Sequence, residues 1–138
     1  MQALGTWKRG YETLLEDEHA HAVTVDLPID QGGRSAGPSA LDLALLSLAG
    51  DLSTTFTVVA EKRHLTFYGL SVALEAERPA RAPTVSRVRG TVRVRTKAEL
   101  ADVESVLQIA VRSSSVGAIF ERARIPIDVT PIVMPTVP

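Results

Sequence analysis

Between Leu43 and Ala60 the chain runs for eighteen residues with a single charge, Asp51. Apolar side chains recur there three and four residues apart. Leu41, Ala44, Leu45, Leu48, Leu52, Phe56 and Val59 fall on one stripe of a helix. The pattern predicts a central helix over 38–63, with Pro38 in its first turn, Ser35 or Gly37 ahead of it and Asp42 at the positive end of its dipole. Leu43, Leu46 and Val58 lie off the stripe, so the helix is apolar nearly all round and must be covered on several sides. A chain of 138 residues has little material for that alone, and a homodimer is expected.

On both sides of this helix the period drops to two. The N-terminal segment, 1–30, predicts strands, with Ala20, Ala22 and Val23 to Leu27 inward and Gly10 in a hairpin turn. "DQGGRSAGPS" then reads as a loop. Over 65–96 a β-hairpin is expected. Val72, Leu74 and Ala76 share one face opposite Ser71, Glu75 and Glu77, while Val88, Val92 and Val94 oppose Arg87, Arg89, Arg93 and Arg95. "RPARAPT" joins the two strands. A second helix and a short turn follow over 97–120, opened by a Thr96–Glu99 capping box and striped by Leu100, Val103, Leu107 and Ala110. The helix breaks at the three serines 113–115. The final strand, 124–134, points Ile125, Ile127 and Val129 inward, and Pro126 and Pro131 mark it as an edge. The order β-β-β-α-β-β-α-β is an α+β pattern on one domain.

Charge removes several classes of function. The net charge is −1 and aromatics make up 4% of the residues, so neither bulk attraction to nucleic acid nor base stacking is expected. The arginine face is read as a solvated sheet face answered by Glu75 and Glu77 across strands. Ser47, Gly50, Asp51, Ser53, Thr54, Thr55 and Thr57 interrupt the apolar helix and argue against a membrane span. The start, "MQALGTWKRG", has no apolar signal core, so a cytoplasmic location is expected.

Candidate chemistry is sparse. There is no cysteine, which excludes disulfides, thiolate ligands and thiol mechanisms in this chain. His19 and His21 are two apart and would share a strand face, with Glu18 or Asp17 nearby. No third ligand has metal-site spacing, so they are read as surface residues and no metal is expected. The GxSxG elbow of serine hydrolases is absent. "DQGGRSAG" matches neither the Walker nor the dinucleotide pattern, and no cofactor is expected. Asp51 is the exception. A buried carboxylate costs several kcal/mol unless paired or hydrogen-bonded. On the helical wheel it lies about 80° from the stripe centre. It is either a flank residue reaching water or a loop amide, or the wall of a polar pocket.

"VTVDLPIDQGGRSAGPSALDLALLSLAGD" resembles the central segment of the OsmC/Ohr family, the osmotically induced and organic hydroperoxide resistance proteins. Members show a "GG…GP.P.ELLL.ALAGC" run that opens a long helix. Here it stands as Gly32-Gly33, Gly37-Pro38 and "LDLALLSLAG", with Asp51 in the cysteine position. A second family motif, "CPV" followed by an apolar residue, stands here as Ser114-Ser115-Val116 with Phe120.

The resemblance implies an OsmC-like fold, an antiparallel sheet wrapped around two central helices in an intertwined homodimer with interfacial sites. In active members one cysteine attacks the peroxide as a thiolate and a second resolves the sulfenic acid to a disulfide. An arginine from the N-terminal strands assists. Arg9, Arg34 and Arg112 are the candidates here, with Ser115 as a further pocket residue. Asp51 and Ser114 replace both cysteines, which rules out that chemistry and suggests a hydrogen bond between the two side chains. Three functions stay open. The pocket could bind a small amphipathic ligand, Asp51 could act as general acid/base beside Ser114, or the protein could be purely structural or partner-binding.

Overall fold

The computed structural model describes residues 1–136. It divides into two compact units, Met1–Leu46 and the residues from Ser47 onward.

In the first unit, β1 (Ala3–Arg9), β2 (Glu12–Asp17) and β3 (Ala22–Val25) form an antiparallel sheet in chain order. Gly10 turns the first hairpin at φ +51°, a conformation that costs glycine little. The second turn differs from the alternation expected there. Ala20 is exposed at φ +65°, and Ala22 and Val23 are exposed rather than inward. His19 and His21 belong to this turn, not to a strand.

The inward residue of the segment is Asp26, only 3% exposed. Its carboxylate accepts the main-chain N–H groups of Leu27 (2.8 Å), Arg34 (3.1 Å) and Ala36 (3.1 Å). The glycine-rich loop therefore folds around a carboxylate. Gly33 and Gly37 serve close packing within it. A Cβ on Gly33 would stand 1.9 Å from the Leu27 carbonyl oxygen, and one on Gly37 2.0 Å from that of Thr24. Burial works to raise the Asp26 pKa. The N–H groups of Ala36, Leu27 and Arg34, with the Arg34 guanidinium, outweigh it and hold the carboxyl below its ordinary 3.8. A depressed native pKa stabilises the fold above the unfolded value and loses that contribution as pH falls through the native one. Asp26→Asn is accordingly expected to lower the denaturation midpoint at pH 7 and to flatten its decline into acid. Equal acid sensitivity of the two chains in urea titrations at pH 7 and pH 3 would contradict this role.

The helix α1 (Ala40–Lys62) starts two residues later than Pro38 suggests. Ser39 caps it, not Ser35 or Gly37. Its Oγ accepts from the Asp42 N–H at 3.1 Å and donates to the Asp42 carboxylate at 2.6 Å. Leu48, Leu52, Phe56, Val59 and Ala60 are buried, while Leu46 and Val58, off the stripe, are 56% and 41% exposed. By length and composition α1 could cross a membrane, alone in this among the described residues. Its buried Phe56, Val59 and Ala60 belong to the hydrophobic core of the second unit.

In the second unit, β4 (Phe67–Glu77) pairs antiparallel with β5 (Arg87–Thr96). The edge strand β6 (Ile127–Met134) runs parallel to β5 and is reached through α2 (Leu100–Ser113) and α3 (Ser115–Arg122). Pro131 faces Val92 on that edge strand, where no further ladder needs its missing N–H. The core joins Phe56, Val59 and Ala60 of α1 to Val92 and Val94 of β5 and to Val103, Val106, Leu107 and Ala110 of α2. Phe56 meets Phe67 edge to face at 5.7 Å.

Two sequence expectations fail here. The Thr96–Glu99 capping box does not form. Thr96 closes β5, its hydroxyl donates to the Thr66 carbonyl at 2.6 Å, and Glu99 precedes α2 without a side-chain cap. Leu100, expected in the buried stripe, is 48% exposed, and Val106 is buried instead. Among the described residues the arginine face is answered by carboxylates at one end only, through Arg89–Glu77 and Arg87–Asp128.

Candidate functional site

Asp51 sits midway along α1, and Ser114 occupies the break between α2 and α3. Sixty-three residues apart in sequence, they meet in the second unit. The Ser114 hydroxyl donates to Asp51 Oδ2 at 2.5 Å, and the Val116 N–H donates to the same oxygen at 3.0 Å. Ser114 Oγ in turn accepts the Gly117 N–H at 2.8 Å. The chain of donors thus runs from the α3 backbone through the serine to the carboxylate.

Local structure explains this placement. Ser114 has extended backbone angles and caps α3, taking one of the N–H groups that a helix start leaves without an internal partner. Asp51 takes a second, and its charge lies at the positive end of the α3 dipole. On α1 itself, Thr55 Oγ1 donates to the Asp51 carbonyl. Gly117 fits closely, since a Cβ there would stand 3.0 Å from Ser114 Oγ.

The arrangement is a closed hydrogen-bond network and not a primed nucleophile. Ser114 is 2% exposed, its proton points at the carboxylate, and its oxygen already accepts a bond. No histidine takes part.

The other candidates are distributed. Arg9 lies in the first unit and pairs with Glu12 at 3.2 Å. Arg34 lies in the glycine-rich loop of the same unit, where its N–H binds Asp26. Arg112 lies in the last turn of α2 and lines a cavity of about 550 Å³ with Leu107, Val111 and the β6 residues Ile127 to Pro131. Ser115 opens α3 and is exposed. His19 and His21 are organised by Asp17, whose carboxylate accepts both of their N–H groups and contacts His21 Nδ1 at 2.8 Å. The hydrogen bond from His21 holds the Asp17 carboxyl below its usual range.

Sequence reasoning missed the Val116 and Gly117 N–H groups and the role of Asp26. A serine three residues before a glycine that opens a short amphipathic run was the available sign of the first. An aspartate inside the apolar run "VTVDLP" was the sign of the second.

The OsmC-like protein family model matches residues 32–130. A search of curated protein sequences found no match. Among solved structures, an OsmC-like protein from Mycoplasma pneumoniae superposes with a TM-score of 0.85 at 10% identity, covering 96% of each chain. An organic hydroperoxide resistance protein OsmC from Legionella pneumophila gives 0.71 at 11%, over 95% of this chain and 96% of its own. OhrB of Bacillus subtilis, also an organic hydroperoxide resistance protein, gives 0.65 at 12%, over 96% and 98%. At these identities the structures establish the fold, and the family model covers well over half of the sequence. This chain belongs to the OsmC-like protein family, as a member without cysteine.

Proposed function

We propose that this protein is a homodimer that binds a small amphipathic molecule and does not reduce peroxides. The observation that carries the reading is the Asp51–Ser114 hydrogen bond. The two positions that resemble the family's cysteines still meet, but as a carboxylate and a hydroxyl with no thiolate chemistry. A polar site has been kept while the redox step has gone.

The surroundings support an amphipathic ligand. Asp51, Thr55 and Val58 share one face of α1 at i, i+4 and i+7, and Val58 is 41% exposed. On α3, Ser115 and Ile119 are four apart and both exposed, Ile119 at 66%. Each helix thus offers a polar group beside an apolar one. The exposed Leu4, Trp7 and Tyr11 of the first unit and Leu46 of α1 support a second copy as their cover.

Thermal unfolding against medium-chain alcohols, amides and carboxylates tests the reading, with mass measured by light scattering. A ligand at a hundredfold excess over its Kd stabilises by about 2.7 kcal/mol, which raises Tm by several degrees. The expected result is a dimer with a saturable rise that Ile119→Lys abolishes. A monomer, or a melting point indifferent to every compound, would contradict the proposal.

A further inference from the structure

A second cavity, of about 510 Å³, lies in the second unit where α1 ends and α2 begins, and neither Asp51 nor Ser114 lines it. Its lining is unusual for a chain of net charge −1. Arg63, His64 and Lys97 bring basic side chains to it, and Thr66, Tyr68 and Ser105 bring hydroxyls. Leu65 and Val106 supply apolar wall. Asp102 is the one carboxylate among the lining residues. We infer that this cavity binds the phosphate group of a small phosphorylated molecule.

Two features support the assignment. Arginine, lysine and histidine side chains line the cavity together with hydroxyl donors, a donor set suited to a tetrahedral oxyanion. The backbone places His64 there at some strain. The Leu65 N–H reaches the Ala60 carbonyl at 2.9 Å and the His64 N–H reaches that of Glu61 at 3.1 Å, which closes α1 in a Schellman motif. That motif puts His64 in the left-handed region at φ +56°, a position where glycine would be strain-free. The chain holds an imidazole at the cavity instead.

The site is independent of the ligand reading given above, and its test does not depend on it. Inorganic phosphate and glycerol phosphate are titrated separately into the full chain at low ionic strength, followed by amide chemical shifts and calorimetry. The expected result is saturable binding with Kd on the order of 1 mM or tighter, with shifts confined to residues 63–68 and 97–106. Tighter binding of glycerol phosphate identifies a phosphomonoester as the natural occupant, and equal binding identifies the free anion. An Arg63→Ala/Lys97→Ala variant, checked for native circular dichroism, is expected to weaken binding at least tenfold. Arg93→Ala, on the exposed face of β5, is expected to leave it unchanged. The inference fails if neither compound saturates, if the double variant binds as well as the native chain, or if Arg93→Ala weakens binding as much as the double variant.

Discussion

Asp51→Ala is expected to destabilise the fold by about 2–4 kcal/mol. The substitution removes one carboxylate oxygen that two donors share, the Ser114 hydroxyl and the Val116 N–H. Ser114 is 2% exposed, so its hydroxyl has little access to water as a replacement. The amino end of α3 also loses a negative charge at its dipole. Asp51→Asn keeps one acceptor oxygen and is expected to cost roughly half as much. Ser114→Ala removes the donor to Asp51 and the acceptor for Gly117 together, at about 1–3 kcal/mol. The double variant Asp51→Ala/Ser114→Ala should cost clearly less than the sum of its parts, because the two residues share one bond. Urea denaturation of the native chain and these four variants reads all of this. Additive losses would show that the network does not exist in solution.

How far this site could be read in the sequence depended on the range of the interactions involved. The period of α1 and the "GG…GP" run are local, and so are the alternating faces of β4 and β5. The fold class and the pairing of Asp51 with Ser114 followed from them and from the family resemblance. Features decided by contacts distant in sequence were not legible. Thr96 looks like a helix cap because Glu99 follows it at the right spacing, but the Thr66 carbonyl, thirty residues away, captures its hydroxyl. Asp26 looked like a strand residue because nothing beside it shows that the N–H groups of Arg34 and Ala36 return to it. A local contact had the same effect: His19 and His21 fall on a strand by alternation, whereas the Asp17 carboxylate, two and four residues away, bends that segment into a turn. In each case one polar side chain overrode a pattern of apolar spacing.

The second large effect is a gain of function. The family resemblance implies a reaction in which a thiolate attacks the peroxide oxygen. The O–O bond breaks, an alcohol leaves, and a sulfenic acid forms on sulfur. A second thiol then attacks that sulfur, releases water and closes a disulfide, which an external dithiol reduces. In this chain the side chains at positions 51 and 114 already touch, which the resolving step requires. An Asp51→Cys/Ser114→Cys variant therefore has its two thiols within reach of one another on the native backbone. It is expected to reduce organic hydroperoxides with turnover and to lose that turnover in either single-cysteine chain.

The most direct test of the central claim is one assay of organic hydroperoxide reduction with a dithiol reductant, run side by side on the native chain and on Asp51→Cys/Ser114→Cys. Inertness of the native chain with turnover by the variant is the predicted result, and it would establish an OsmC-type site kept in shape without its redox step. Turnover by the native chain, which has no cysteine, would contradict the account.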